Sequence, residues 1–310
     1  MTKPTLLNWI ALVTLALIWG SAFMFAKIAL EDFGPKTLTS LRLVIGAVLL
    51  LIVAYAMGHR LPDPRLPENK RIWIFMIGMG VMTNVLPFNL LNWGQQYVTS
   101  SFAGISMAVV PLLVLPLAHF FVPGETMDLR KTIGFAIGFI GTVVLIGPAT
   151  LMDSTGNDLE PLGRLACVAT ACCYAVGSII TRLAPKTSMI AFSAGGLLVA
   201  AILAVPFSVY YEGLPPIGST LGWSAAIYLG LLSTGIATLM LVWQIDTAGP
   251  TFLSLVNYQV PIVAVVMGTL ILSEDLPAQF IGALAMILLG LIISQKGLAT
   301  KLREIRARLS

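Results

Sequence analysis

Apolar stretches of 18 residues or more recur along the whole chain, and they restrict its possible folds more than any other feature. Of the 310 residues, 57% are apolar and only 10% are charged. A soluble domain carries about 25% charged residues. The basic residues lie at the ends of the apolar stretches rather than in one patch, which argues against a nucleic-acid-binding surface. The sequence therefore predicts an all-α integral membrane protein.

Breaks rich in Pro, Gly or charge divide the apolar stretches into ten predicted transmembrane helices. The predicted spans cover residues 8–29, 37–57, 72–92, 98–121, 131–149, 162–183, 188–211, 221–243, 250–272 and 278–295. The connections are short, so consecutive helices should be antiparallel neighbours. No Asp or Glu falls within any of these predicted spans.

The distribution of Lys and Arg predicts how the helices are oriented. With the N-terminus inside, 14 of the 18 basic residues fall on the inner side and only Lys36, Arg42 and Arg164 on the outer side. Cytoplasmic segments of membrane proteins carry such an excess of Lys and Arg. We therefore expect a multi-pass protein of the cell inner (plasma) membrane with both termini in the cytoplasm.

The two halves of the chain are related by an internal repeat. Three landmarks recur at an offset of 150, and the Trp19–Lys27 segment recurs at an offset of 155 as Tyr174–Arg182. The three landmarks are Trp93 and Trp243, Phe102 and Phe252, and Pro111 and Pro261. Each copy holds five predicted spans, and an odd number places the second copy upside down in the membrane. We predict an inverted five-plus-five repeat: residues 1–150, residues 151–297, and a basic cytoplasmic tail at 298–310.

These landmarks resemble the EamA-type repeat of the drug/metabolite transporter superfamily. The resemblance rests on Trp19-Gly20-Ser21-Ala22-Phe23 followed by Lys27, Pro35 and Arg42, and on Pro111, Gly124-Glu125, Gly134 and Gly141 with their second-half counterparts. It covers nearly the whole chain and both repeats. It implies ten helices, an inverted repeat and the export of small metabolites. Within the family, the chain is most similar to the bacterial amino-acid exporters of the YddG type.

Paired prolines near mid-span predict where a central site lies. A helical proline lacks an N–H and leaves the carbonyl four residues earlier without its helical partner. Pro111 and Pro261 should break the fourth and ninth spans in this way, either as packing kinks or as cavity-lining helices. Polar and aromatic residues near these breaks or at equivalent repeat positions, together with one polarizable methionine, are the predicted substrate-binding set. They are Trp19, Asn84, Ser106, Met107, Tyr174, Asn257, Tyr258 and Gln259.

Two basic residues lie inside predicted helices and have two possible roles. Lys27 and Arg42 both lie near the outer ends of their spans, so their side chains could extend to the membrane surface. Alternatively, one of them binds a substrate carboxylate or takes part in gating. The stretch that corresponds to Arg42 in the second repeat has no basic residue, so any role of Arg42 is asymmetric.

Together these features favour a secondary transporter that exports small metabolites, with aromatic or other amphipathic amino acids as the leading class. An exporter of other drugs or metabolites, or a non-transporting membrane assembly partner, is the alternative. An enzyme is not expected, because the two histidines are far apart and the predicted spans lack carboxylates. We expect a small-molecule substrate and a lipid bilayer as partners, with no cofactor, metal or nucleic acid. Nothing in the sequence indicates an oligomeric state.

Overall fold

The computed structural model describes residues 4–147 and 159–294, and in this part of the chain the regular structure is helical. Eight helices are long and apolar enough to cross a membrane, and two shorter apolar helices follow them. We number the helices in chain order as α1 Leu6–Ala29, α2 Pro35–Ala56, α3 Pro67–Gly94, α4 Ser100–Phe121, α5 Leu129–Ile146, α6 Glu160–Leu183, α7 Met189–Glu212, α8 Thr220–Ala248, α9 Pro250–Ile271 and α10 Ala278–Ser294. The predicted tail at 298–310 lies outside the described residues.

The helix bounds agree with the predicted spans to within a few residues at most ends. The largest differences are at α8, which continues to Ala248, and at α3, whose first turn begins at Pro67. Because the helices in the described part of the chain extend past the predicted spans, they include four carboxylates that the predicted spans exclude. These are Glu68, Glu160, Glu212 and Asp246, and each lies in a terminal turn.

Local capping chemistry defines where many of the helices begin. Thr5 forms a capping box with Asn8 at the start of α1, and Pro35 occupies the first turn of α2, where its missing N–H costs nothing. Thr99, Asp128, Ser188 and Ser219 accept a hydrogen bond from the first turn of α4, α5, α7 and α8, respectively. Side-chain oxygens at this position satisfy backbone N–H groups that have no partner within the helix.

Four helices depart from regular α-geometry near the middle of the bundle. Helices α3 and α8 contain π-helical segments, Val81–Val85 and Leu229–Ile236. Helix α4 is interrupted between Met107 and Val110, directly before Pro111, as predicted. In α9 the interruption falls at residues 254 and 255, and Pro261 lies inside the continuous helix Val256–Ile271. The prediction that Pro261 breaks its helix was therefore wrong, although its missing N–H still leaves the carbonyl of Asn257 without that donor.

Each main contact that a helix of the first half makes with the second half has an equivalent contact between the corresponding helices. Helix α1 packs on α8 and α9, and α6 packs on the corresponding α3 and α4. Likewise α2 contacts α8 as α7 contacts α3, while α2–α7, α4–α9 and α5–α10 pack as corresponding pairs. At α5–α10, a Cβ on Gly134 would collide with the carbonyl of Gly290, so glycine permits this close approach.

Candidate functional site

A cavity of about 420 Å³ lies at the centre of the bundle, between the two halves of the chain. Helices α1, α2, α3, α4, α6, α7, α8 and α9 all contribute to its wall. The lining residues with aromatic, polar or charged side chains are Trp19, Phe23, Arg42, Thr83, Asn84, Phe88, Tyr174, Thr181, Phe192, Ser193, Ser233, Thr234, Thr238 and Asn257. A second crevice, of about 450 Å³, lies between α2, α3 and α7 and is almost wholly apolar. Its few polar groups make it a weaker candidate site.

Many of the lining positions come in pairs, one from each half. The offset of 150 relates the lining pairs Thr83 and Ser233, Asn84 and Thr234, Phe88 and Thr238, Leu91 and Leu241, Met107 and Asn257, and Val110 and Val260. The offset of 155 relates Trp19 to Tyr174 and Ala26 to Thr181. The repeat therefore builds opposite walls of one cavity, with different side chains on the two sides.

The π-helical segment of α8 organises the polar part of the wall. Its Thr234 hydroxyl donates to the carbonyl of Leu229 at 2.9 Å and accepts from Arg42 Nε at 2.7 Å. Arg42 Nη2 donates to the hydroxyl oxygen of Ser233 at 3.1 Å, and Trp19 Nε1 donates to the carbonyl of Ser233 at 3.2 Å. Because π-turns widen a helix locally and often occur at functional sites, this segment is a natural centre for a binding wall.

Seven of the sequence-predicted residues line this cavity. They are Trp19, Arg42, Asn84, Met107, Tyr174, Asn257 and Pro261. The side chain of Asn257 makes no hydrogen bond within the described part of the chain. Asn84 uses its amide nitrogen to donate to Thr83 Oγ1 at 2.9 Å, while its amide oxygen accepts nothing from the described residues. Both amides therefore keep hydrogen-bonding capacity for a ligand.

The other five predicted residues do not line the cavity, each for a physical reason. Ser106 is fully buried, and its hydroxyl donates to the carbonyl of Phe102 in its own helix at 2.9 Å. Tyr258 and Gln259 follow Asn257 on α9, and each step of about 100° rotates the side chain away from the cavity face. Lys27 donates to the carbonyls of Gln95 at 2.6 Å and Val98 at 3.0 Å. Pro111 lies next to the lining residue Val110 but is not itself part of the wall.

The sequence reasoning missed several lining residues that the repeat offset could have identified. Ser233 and Thr234 stand 150 positions after Thr83 and Asn84, and Thr238 stands 150 after Phe88. Since Asn84 was already a candidate, its counterpart Thr234 was available from the same alignment. Phe192 and Ser193 of α7 carry no comparable signal, because the second helix of each repeat aligns poorly.

One end of the bundle, which we call the Glu274 end, is closed by carboxylates that reach from one half of the chain to the other. Glu274 accepts from Ser100 N at 2.7 Å, from Ser101 N at 3.0 Å and from Ser101 Oγ at 2.7 Å, at the start of α4. Glu212 accepts from the N–H groups of Lys36 at 3.1 Å and Thr37 at 2.8 Å, at the start of α2. Acidic groups at helix N-termini are favourable because they satisfy free N–H groups and the helix dipole.

A third carboxylate at this end, that of Asp32, belongs to the first half and accepts hydrogen bonds from the second half. Asp32 accepts from the backbone N–H of Ser219 at 3.0 Å and from the Ser219 hydroxyl, directly before α8. Within the first half, Lys27 donates to two backbone carbonyls beyond α3, and Gln95 Nε2 donates to the carbonyl of Phe23 at 2.9 Å. The Glu274 end therefore has polar contacts at three places where the halves meet.

The opposite end, which we call the Glu125 end, is joined across the halves by an exposed ion pair and by a buried pair of neutral side chains. Glu125 pairs with Arg182 at 2.6 Å, and both side chains are substantially exposed, at 32% and 52%. The hydrogen bond from Arg182 lowers the pKa of the Glu125 carboxylate below its usual range. Asn8 and Gln244 also exchange hydrogen bonds where α1 packs on α8. Exposed ion pairs of this kind contribute about 0–1 kcal/mol.

The exposed part of the cavity lining lies toward the Glu125 end. Toward the Glu274 end, Phe23, Ala26 and Leu91 are 7%, 2% and 5% exposed, so that side is sealed. Toward the Glu125 end, the lining residue Thr181 is exposed and Asn257 is half-buried. The central cavity of the bundle therefore has a mostly apolar wall with a few polar groups, is sealed toward the Glu274 end and is more exposed toward the Glu125 end.

This arrangement defines a multi-pass helical membrane protein with a central cavity, and the family comparison defines it further. The model of the EamA-like transporter family matches residues 7–147 and again 161–295. The chain belongs to this family, as its sequence resemblance predicted. A crystal structure of a protein with 23% sequence identity superimposes with a TM-score of 0.66, over 93% of this chain and 97% of that one, and this shows a shared fold.

Several curated proteins are similar over most of their length. The uncharacterized transporter YoaV of Bacillus subtilis is 26% identical, over 92% of this chain and 95% of its own. The uncharacterized inner membrane transporter YedA of Escherichia coli K12 is 27% identical, over 86% and 83%. A probable terminal-alkyne amino-acid exporter of Streptantibioticus cattleyicolor is 28% identical, over 86% of each chain. These relatives indicate a membrane transporter rather than an enzyme.

Proposed function

We propose that this transporter exports small metabolites by alternating access around the central cavity, with aromatic or other amphipathic amino acids as the leading substrate class. The observation that carries the proposal is a cavity whose walls come from corresponding positions of the two halves and which is more exposed toward one end than toward the other. Two similar halves can rock against each other around a site between them, which exposes the site to each side in turn.

The proposal includes an inverted topology. Five helices in each repeat, here residues 1–150 and 151–297, require opposite orientations of the two copies. The excess of Lys and Arg at the Glu125 end, where Arg130, Lys131, Arg182 and Lys186 lie, favours the cytoplasm for that side. In this topology both termini are cytoplasmic, the protein belongs to the inner membrane, and the cavity described above is the inward-open state.

Amino acids are favoured by the character of the wall and by one relative. Trp19, Phe88, Tyr174 and Phe192 offer aromatic surface, while Asn84 and Asn257 offer amides. The relative from Streptantibioticus cattleyicolor is named a probable amino-acid exporter. No carboxylate is among the described lining residues, and proton-driven transporters often use one in the membrane. We therefore propose movement down the substrate gradient, without proton coupling.

The direct test is flux of radiolabelled Phe, Trp, Thr and small polar amino acids in liposomes that hold the purified protein. We expect counterflow of at least one amphipathic amino acid, with or without a pH gradient. Asn257→Leu should reduce this flux, while Gln259→Leu, on the same helix but outside the lining, should not. Strict dependence on a pH gradient would refute the facilitated mode, and transport of other amphipathic solutes alone would favour the wider drug/metabolite class.

A non-transporting assembly partner is the remaining alternative from a different class. Such a protein needs no solvent-accessible central cavity. Equal and negligible flux for the wild type, Asn257→Leu and Gln259→Leu, in protein shown to be folded, would favour this alternative.

A further inference from the structure

Arg42 is a full positive charge buried inside the bundle. It is the eighth residue of α2, about 10 Å from the helix start at 1.5 Å per residue, and is 7% exposed. In the described part of the chain, no carboxylate lies within 4.0 Å of its guanidinium. Charges at membrane depth are costly, and they usually face a cavity and pair with an opposite charge or mark a substrate path. Arg42 faces the cavity but has no such partner within the described residues.

The guanidinium is held in one orientation rather than extended toward the membrane surface. Nε and Nη2 donate to Thr234 and Ser233, and the guanidinium carbon lies 3.8 Å from the centre of the Phe88 ring. Nη1 makes no hydrogen bond within the described residues. Arginine presents a planar set of donors that matches a carboxylate. The wall therefore fixes Arg42 and leaves donor capacity on the cavity side.

The second half of the chain has no charged residue at the position that corresponds to Arg42. A Cβ on Gly80 would lie 2.5 Å from the carbonyl oxygen of Gly196, and a Cβ on the corresponding Gly230 would lie 3.2 Å from that of Arg42. Gly196 therefore occupies the position equivalent to Arg42, and the second half has no side chain there. Lys27 is not an alternative anchor, because its ammonium is engaged by two backbone carbonyls outside the cavity wall.

The other described lining residues are uncharged, so Arg42 sets the sign of the charge that the cavity can bind. Among the described lining residues Arg42 alone is charged, so an anionic group is compensated in the cavity and a cationic group is not. An ammonium would find only neutral acceptors, such as the amide oxygens of Asn84 and Asn257. A hydrogen bond with one ionised partner is about twice as strong as a neutral one, and at Arg42 a carboxylate adds the attraction of opposite charges, whereas an ammonium meets a like charge.

We propose that Arg42 binds the carboxylate of the transported solute, so that a carboxylate is the required group and an amine is dispensable. The inference rests on the proposed transport function and narrows its substrate to amphipathic carboxylic acids, whether or not they carry an amine. The carboxylate lies at the deep, closed side of the cavity, because Arg42 is on the part of α2 that begins at the Glu274 end. The apolar body then contacts Trp19, Phe88 and Tyr174.

The test is equilibrium binding by calorimetry to the full-length protein in nanodiscs, which does not depend on transport. Four probes share one phenyl group: phenylalanine, 3-phenylpropionate, 3-phenylpropanamide and phenethylamine, with the four isobutyl analogues as a second series. We expect both carboxylates of at least one series to bind with similar Kd, and the amide and amine to bind at least about tenfold more weakly. Equal binding of acid and amide, preference for the amine, or no binding by any acid overturns the inference.

Substitutions at Arg42 test whether this residue causes the preference for the carboxylate over the amide. Arg42→Met should abolish the difference between 3-phenylpropionate and its amide, and Arg42→Lys should retain part of it. Arg71→Met is the matched control, because Arg71 also stacks on a phenyl ring, that of Phe75, but is exposed and far from the cavity. Persistence of the acid preference in Arg42→Met would contradict the assignment. If that variant fails to fold, the ligand series on the unmodified protein still decides the inference. Liposome transport of amines or amides but not acids would support the transport function while refuting this inference.

Discussion

Glu125 and Glu274 occupy corresponding positions in the two halves, yet they make very different contacts. Each follows a residue with left-handed backbone, Gly124 at φ 83° and Ser273 at φ 53°. Glu274 then reaches three donors at the start of α4, whereas Glu125 pairs with the exposed Arg182. The same turn in the two halves therefore places a half-buried carboxylate on a helix N-terminus at one end of the bundle and an exposed ion pair at the other.

In the proposed alternating-access cycle, this difference between the two ends gives the two halves one preferred arrangement. If the two ends made equal contacts, the halves would have no preferred arrangement. The carboxylate contacts of the Glu274 end lie at the sealed end of the cavity. In an alternating-access cycle, the Glu274 contacts must break when the cavity opens to that side. The Ser273 backbone, uncommon for a residue other than glycine, is the cost of placing the carboxylate there.

The largest effect is expected from Glu274→Gln. The variant removes the charge that accepts from Ser100 and Ser101, and hydrogen bonds to charged groups contribute about 1.5–3 kcal/mol. The Glu274 end should open at least about tenfold more often, since 1.4 kcal/mol is a factor of ten in an equilibrium constant. The measurement is the labelling rate of Ala26→Cys, in a background without the native cysteines, by a membrane-impermeant thiol reagent. An unchanged rate would mean that Glu274 does not hold this end closed.

A smaller effect in the same direction is expected from Glu212→Gln. Glu212 caps α2 through two N–H groups, with the ammonium of Lys36 3.5 Å away, and loss of a cap costs about 1 kcal/mol. Labelling of Ala26→Cys should rise by a few-fold, about fivefold for 1 kcal/mol. Because Glu212 and Glu274 cap different helices, the double variant should show approximately additive free energies. If Glu212→Gln raised the labelling rate more than Glu274→Gln did, Glu212 rather than Glu274 would contribute more to closing this end.

The smallest effect is expected from Glu125→Gln, the matched variant at the other end. Its exposed pair is worth about 0–1 kcal/mol and lies at the opposite end, so labelling of Ala26→Cys should stay unchanged or decrease by less than about fivefold. An increase comparable to that of Glu274→Gln would remove the distinction between the two ends.

The pH dependence of the Glu125 contribution follows from its lowered pKa. A depressed carboxylate pKa stabilises the folded state above the ordinary value of 4.5, and this contribution is lost as pH falls through the lowered pKa. The small difference in melting temperature between wild type and Glu125→Gln should therefore be constant from about pH 8 to pH 5 and disappear in stronger acid. Thermal unfolding in detergent across this range measures it. A difference in melting temperature that appears only below pH 4.5 would contradict the lowered pKa of Glu125.

The sequence predicted the helices well and the site only partly, for physical reasons. Membrane spans are long apolar runs, so hydropathy alone located them. Equal offsets located Trp19 and Tyr174 beside the cavity, and the position four residues before Pro111 located Met107. The π-turns of α3 and α8 were not predicted, because a change of hydrogen-bond register leaves no compositional signal. Ser106 shows the limit of polarity as a guide: its hydroxyl satisfies a carbonyl of its own helix.

The direction in which Arg42 points also required the structure. From its position near a helix end, extension to the membrane surface was as reasonable as an inward role. The hydroxyls of Ser233 and Thr234 decide the matter, and they are brought to Arg42 by the π-segment of a distant helix. Glu274 was likewise available from the sequence as the second-half counterpart of Glu125, but its partners at the start of α4 were not.

The most direct test of the two-ended account is cysteine accessibility at Ala26 and Asn257 in otherwise unmodified, ligand-free protein without native cysteines, in vesicles of known orientation. Asn257→Cys should react with an impermeant reagent only from the side on which Glu125 lies, and Ala26→Cys should be protected from both sides. Reaction of Ala26→Cys from the Glu274 side, with Asn257→Cys protected, would contradict the account.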